Sequence, residues 1–273
     1  YGVSSRMCGM QWNRGVTLVL VVVLLTAGCL GGGGPAGGGS GEAESTPDGG
    51  GADDAADGPD LTDPETALRD AGSFTVTWRY AGVDATGTRS EVRHEYHADL
   101  RGERSLTVTS TSRNGRSDGV TEQFVADDTT YVRTGTAEAP SYVSYPGSAD
   151  VVGTAIALSQ ARAYGANEDL TAGRAERFDG VAVTRYELSE ADSQLIQAGS
   201  AATSGAPGAA EITDFRYVVL VDEDGLSRHE SWSFTGRTAE GRAISGEWEY
   251  SLTNVGTTGV DDPDWLADAR ATV

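Results

Sequence analysis

SFTVTWRY, residues 73–80, carries the pattern that matters most in this chain. Phe74, Val76, Trp78 and Tyr80 alternate with Ser73, Thr75, Thr77 and Arg79. Successive side chains of a strand point to opposite sides of a sheet, so a period of two describes a strand with one dry and one wet face. A sheet with aromatics along one face needs something laid over that face.

The alternation recurs downstream. Val92, His94 and Tyr96 repeat it, then Leu106 and Val108, then the stretch from Val120 to Val125, with Tyr131 to Arg133 as a short member. Asp99 to Glu103, Asn114-Gly115, Asp118-Gly119 and Asp127-Asp128 stand between these runs and supply turn chemistry for an antiparallel meander. The pattern breaks at Pro140 to Pro146. Two further strands flank Asp179-Gly180. Ile212 to Val221 then meets Leu226 to Phe234 across Asp224-Gly225, and Ala243 to Leu252 follows Glu240-Gly241. Trp232 and Phe234 share one face, as do Trp248, Tyr250 and Leu252.

Helices are expected in three places. Thr62 and Glu65 form a capping box, Pro64 suits a first turn, and Ala67, Leu68 and Ala71 make an apolar stripe. Ala149 to Tyr164 reads as an amphipathic helix through Val152, Ile156, Ser159 and Ala163, and Glu190 to Ala198 as another short one. Gly199 to Ala210 reads either as a mobile loop or lid, or as an excursion with no role. The fold expected is α+β, mostly β: a curved antiparallel sheet, or incomplete β-barrel, covered by the helices at Thr62–Ala71 and Ala149–Tyr164. Phe74, Trp78, Tyr217, Trp232 and Trp248 are the candidate lining of a ligand cavity on the dry face, with plain core packing as the alternative.

The N-terminal part is an address. Arg14 precedes the apolar run Val16 to Ala27, which closes in small residues before Cys29. About a dozen apolar residues fall short of the roughly 20 that cross a bilayer as a helix, so a signal peptide is favoured over a permanent span. No twin-arginine pair precedes the run, which points to Sec-type export, and Met7 or Met10 is the expected start. Cys8 would be discarded on cleavage. Cys29 would then be the sole thiol of the mature chain, which excludes a disulfide framework. From Leu30 to about Leu61 the sequence is glycine with Asp, Glu, Ser and Pro. It cannot bury enough apolar surface to fold and should act as a tether reaching on the order of 30 Å. The chain thus divides into a signal peptide (1–28), Cys29 with its tether (29–61) and one folded domain (62–273).

Charge limits the partners. Acids outnumber bases 41 to 20, every base is arginine, and the net charge is -21. Two origins fit: adaptation to molar salt, where screening at roughly 3 Å removes long-range repulsion, or an acidic protein from a GC-rich genome. Either way nucleic-acid binding is disfavoured, since Arg79, Arg93, Arg133 and Arg185 lie among acids rather than in a basic stripe.

No catalytic constellation is visible, and neither a cofactor nor a metal is expected. His94 and His97, three apart on a strand, point to opposite faces and make a poor metal pair. Nucleophile elbow, phosphate loop and dinucleotide fingerprint are all missing from the sequence of the domain. The acids at Asp222–Asp224 and at Asp261, Asp262 and Asp264 read as solvated surface.

Thr-Ala-Gly-Cys, residues 26–29, resembles the lipobox of bacterial and archaeal lipoproteins, with Thr26 where leucine usually stands. The resemblance implies lipidation of Cys29 and a place on the extracytoplasmic face of the cell membrane. Together with the Cys-Leu-Gly-Gly start, the glycine-acid tether and the close from Gly256 to Ala269 containing Val260-Asp261-Asp262-Pro263-Asp264-Trp265, the chain resembles a haloarchaeal surface lipoprotein family of unknown function. More distantly it is similar to the LolA, LppX and LprG group of lipoprotein and lipid carriers. That likeness implies a half-barrel closed by helices over an apolar cavity, holding a hydrophobic small molecule or lipid. The alternative is a cell-surface sensor or protein-interaction module without bound lipid.

Overall fold

A computed structural model describes residues 59, 61, 63–148, 150–159, 170–189 and 211–272. The signal run, Cys29, nearly all of the tether, the helix expected over Glu190–Ala198 and the loop Gly199–Ala210 lie outside the described residues. The alternating stretch forms strand β1, Ser73–Val83. Ten more strands follow: β2 (Arg89–Asp99), β3 (Arg104–Arg113), β4 (Arg116–Ala126), β5 (Thr129–Gly135), β6 (Pro140–Pro146), β7 (Thr171–Phe178), β8 (Val181–Leu188), β9 (Glu211–Asp222), β10 (Ser227–Arg237) and β11 (Ala243–Thr253). Among the described residues there are three helices, which we number α1 (Pro64–Ala71), α2 (Val151–Leu158) and α3 (Leu266–Thr272).

All eleven strands join one antiparallel sheet in the order β6-β5-β4-β3-β2-β1-β11-β10-β9-β8-β7. Each strand pairs with its sequence neighbour except at the centre, where β1 lies against β11, and between β6 and β7, which form the two edges. Open sheets of this width curl rather than stay flat, and this one is curved and unclosed. Local chemistry sets the hairpins. Asn114-Gly115 and Asp179-Gly180 have positive φ at both positions, the backbone whose twist matches paired strands.

Directly paired residues share a face, so the register shows what the sheet presents. Trp78 lies between His94 and Tyr250, Tyr80 between Val92 and Trp248, and Trp232 between Tyr217 and Trp248. These groups form an aromatic face, and Leu68 of α1 with Val152 and Ala155 of α2 belong to the same buried cluster. On the opposite face of β4–β6, Phe124 packs with Val260, Trp265, Leu266 and Ala269, the last two from α3. Elsewhere the opposite face carries a small apolar cluster of Val183, Val218 and Leu220 with Phe178 against it, and ion pairs: Arg79 with Glu91 at 2.9 Å, Arg216 with Glu187 at 3.2 Å, and Arg185 with Glu176 at 3.4 Å and with Glu187.

Four expectations are corrected. The proline-bounded stretch Pro140–Pro146 is not a break but edge strand β6, where a missing N–H on the open side costs no ladder bond. Asp118-Gly119 is not a turn. Gly119 sits at φ 153 inside β4, next to an irregularity at Thr111/Ser112 that absorbs one extra residue. The first helix is capped by Asp63, whose carboxylate accepts from the Thr66 N–H at 3.0 Å, with Thr62 outside the described residues. Asp150 caps α2 in the same way through Gly153, and that helix stops at Ser159, which is extended (φ -75, ψ 136). A continuous helix through Ala163 is therefore excluded at Ser159. Serine favours such a boundary because its hydroxyl can leave the helix ladder for another partner, here Glu230.

Candidate functional site

The centre of the aromatic face is a run of rings crossing three strands. Trp248 stacks on Trp232 and on Tyr250 with centroids 6.4 and 6.3 Å apart, and Tyr80 meets Trp232 edge-on at 6.0 Å. Such pairs add about 0.5–1.5 kcal/mol each beyond their buried area. The five predicted lining residues Phe74, Trp78, Tyr217, Trp232 and Trp248 are all brought onto this face, and all are buried in its cluster.

Beside them, where α1 and α2 meet β10 and β11, lies a cavity of about 30 Å³. Leu68, Leu226 and Leu252 make its buried apolar walls, and the half-exposed Leu61, Pro64 and Ile156 make its rim. A volume of this size holds one or two waters. Of the predicted lining residues none touches it. Their neighbours do: Tyr250 lies next to Trp248 on the aromatic face, and Ser227 opens β10.

The cavity has a polar wall built around a buried carboxyl. Glu230 has no exposed surface and accepts from Ser227 Oγ at 2.7 Å, from Tyr217 OH at 3.3 Å and from Ser159 Oγ. A bulge explains the first contact. Residues three apart on a regular strand face opposite ways. Between Ser227 and His229 the register slips by one, so Arg228 is the extra residue and Ser227 and Glu230 fall on the same face. Arg228 is buried as well and lies 3.4 Å from Asp222. Burial pushes the Asp222 carboxyl up, while the Leu226 N–H, Arg228 and the Asp224 N–H pull it down. The acids of this turn therefore divide: Glu223 and Asp224 are exposed, whereas Asp222 is buried and ties the hairpin together through the Leu226 and Asp224 N–H groups.

Tyr250 completes the wall. Its hydroxyl donates to the Ala155 carbonyl of α2 at 3.5 Å, and burial followed by the nearby Glu230 pushes its acidity constant up, so the phenol keeps its proton. His94 Nε2 and Trp248 Nε1 are also sealed into the aromatic face with no hydrogen-bond partner among the described residues.

Residues 14–269 match a family of unknown function, DUF7537. The chain belongs to this family. No curated protein matches it in sequence. In structure this DUF7537 member is similar to LprF from Mycobacterium bovis, with 17% identity over 76% of this chain and 98% of that one and a TM-score of 0.34. It is also similar to a LolA superfamily protein from Nitrosomonas europaea (12% identity, 74% and 96% covered, TM-score 0.22). A third likeness is to a beta-barrel-like protein of a domain of unknown function from Brucella abortus (9% identity, 70% and 98% covered, TM-score 0.25).

Glu230 was within reach of sequence reasoning. In LSRHESWSF, residues 226–234, it is in phase with Trp232 and Phe234, so a carboxyl is written into an apolar face. Ser227 and Arg228 carry no such signal, because a bulge resets the phase ahead of Glu230. His94 and His97 do face opposite ways, beside Trp78 and Thr75 respectively. Each histidine bonds a hydroxyl across a strand: His94 to Thr109 at 2.9 Å, His97 to Thr75 at 3.3 Å and His229 to Ser251 at 3.0 Å. Among the described residues no group of histidine, cysteine and acids is arranged to hold a metal, and no helix is long and apolar enough to cross a membrane.

Proposed function

We propose that this chain is a non-catalytic, lipid-anchored extracytoplasmic binding protein of a halophile, holding a hydrophobic ligand against the aromatic face of its sheet. One observation carries the ligand: an apolar-walled cavity bordered by two short helices, with a half-exposed apolar rim from which a chain can extend. Helices of eight residues are not stable on their own and depend on what they pack against, so α1 and α2 are the elements that can yield to an incoming chain. The anchor rests on the apolar run before Cys29 and the lipobox-like Thr-Ala-Gly-Cys, and the halophilic setting on the surplus of acids and the absence of lysine. Native mass spectrometry of protein extracted from its own membrane in high salt tests both parts. A non-covalent apolar ligand is expected beside a covalent lipid that disappears in Cys29→Ser. Protein that carries neither sinks the proposal.

A second reading has its own observation. Val143 and Tyr145, 55% and 47% exposed, stand side by side on the free edge strand β6, apolar groups at a place where strands recruit other chains. A surface-protein partner at that edge predicts crosslinks from β6 that vanish in a Val143→Ser, Tyr145→Ser double variant.

A further inference from the structure

We infer that strand β6 pairs with the β6 of a second copy of this chain. The inference rests on the second reading above, a protein partner at that edge, and names the partner. The two edges of the sheet are built differently. Strand β7 carries Arg174, Glu176 and Arg177 and a register shift between Ala172 and Ala175, charges and a bulge of the kind that keep other strands off. Strand β6, Pro-Ser-Tyr-Val-Ser-Tyr-Pro, has neither. Among the described strands it alone lacks a charged residue, and it holds Val143 and Tyr145, two of the three exposed large apolar side chains among the described residues.

Backbone direction leaves β6 open at its middle. The Gly147 N–H donates to the Asp128 carbonyl at 2.7 Å, and antiparallel bonding alternates along a strand, so Tyr145, Val143 and Ser141 turn their backbone groups to β5. Pro140, Tyr142, Ser144 and Pro146 turn theirs outward. Proline has no N–H, so the outward donors are those of Tyr142 and Ser144. Turned end for end about Val143, the strand matches itself: proline falls opposite proline, and each tyrosine opposite a serine. In that antiparallel pairing Tyr142 of one copy exchanges hydrogen bonds with Ser144 of the other, every outward N–H gains an acceptor, and the two Val143 side chains meet on the twofold axis. Charge agrees. Each copy carries a net -21, so a like-charged partner needs an edge free of charge and salt to screen the rest, whereas an oppositely charged partner is drawn to a charged edge.

Sedimentation velocity of the intact chain in detergent and molar salt, from about 1 μM to about 1 mM, tests this. A short strand pair buries less than the roughly 1,000 Å² of a stable interface, so a reversible dimer that tightens as salt is added is expected. Ser144→Pro removes an outward donor without touching a bond to β5, and is expected to weaken the dimer at least tenfold. A disulfide reads the register should that variant disturb folding. Val143→Cys, in a chain that also carries Cys8→Ser and Cys29→Ser, is expected to oxidise to a linked dimer, since facing residues of a non-hydrogen-bonded pair lie about 4.5 Å apart at Cα. Ser141→Cys in the same background, equally exposed but far from its own counterpart, is expected to stay reduced. A monomer throughout, a dimer indifferent to Ser144→Pro, or equal oxidation of the two cysteine variants overturns the pairing. Should β6 of a monomeric chain crosslink to a different protein, a partner at this edge still stands; should it crosslink to nothing, the edge reading falls as well.

Discussion

Among the described residues Glu230 accepts from three hydroxyls, and its own surface is fully buried, so the group matters for what depends on it. Removing the acceptor strands buried donors, and Glu230→Ala is expected to cost about 3–5 kcal/mol in urea unfolding at high salt, against a smaller loss for Glu230→Gln, which keeps an oxygen. Equal small losses in both would show that the hydroxyls find other partners. The histidines predict a pH effect of definite sign. Burial lowers the imidazole acidity constants of His94 and His229 below the ordinary 6.5, so both stay neutral in the fold while the unfolded chain takes up protons first. Stability is therefore full above about pH 6.5 and falls as the pH drops through the folded-state values. The slope should be shallower in His94→Gln, as melting curves across that range will show. Glu187 acts in a separate window. Hydrogen bonding from Arg185 holds its carboxyl below the ordinary 4.5, so what it contributes is present above that value and fades in stronger acid. Phase along β10 made Glu230 legible in the sequence, whereas Ser227 was hidden because a single inserted residue reverses the parity on which strand reading depends.

Elements were legible where their own chemistry fixed them. The Asn114-Gly115 and Asp179-Gly180 hairpins need only their two turn residues, and β1 needs only its alternation. Strand β6 was not, because a proline at each end looks like interruption until the strand is known to lie at an edge. Helix α3 was missed for a related reason: seven residues hold little pattern, and its place is set by Phe124 and Trp265 rather than by its own periodicity. The two sides of the sheet are separate packing units, and this can be checked. Leu68→Ala loosens α1 on the aromatic face and Leu266→Ala loosens α3 on the other, each by about 2–5 kcal/mol. Their double variant should be additive within about 0.5 kcal/mol. A larger coupling would mean that strain passes through the sheet. Gly246 offers a third test, since an added Cβ would lie 2.5 Å from Phe234 Cε1, directly across the pair. Gly246→Ala is expected to destabilise by about 1–3 kcal/mol through displacement of that ring.

For the whole molecule the dominant quantity is charge. A domain this acidic repels itself when salt is withdrawn, and ion pairs such as Arg79 with Glu91 and Arg216 with Glu187 are too exposed to offset the repulsion. The melting temperature is expected to fall as salt drops below about 1 M, where the screening length grows past roughly 3 Å. Equal melting at low and high salt would remove the case for a halophile. Ten of the eleven described strands and the antiparallel meander were open to sequence reading because each hairpin is local. The place where the sheet joins was not, since nothing in the chain's periodicity says that β1 and β11 are neighbours.

That join also sets an order of events. Thr75 pairs with Thr253, so the central ladder links residues almost the whole domain apart, whereas the other ladders link consecutive strands. Two half-sheets, β1–β6 and β7–β11, can form as the chain appears. The seam between them has to wait for the last strand, and until then Trp78 and Tyr80 lack their neighbours Tyr250 and Trp248. A nascent chain of this protein thus cannot complete its sheet until β11 has been made.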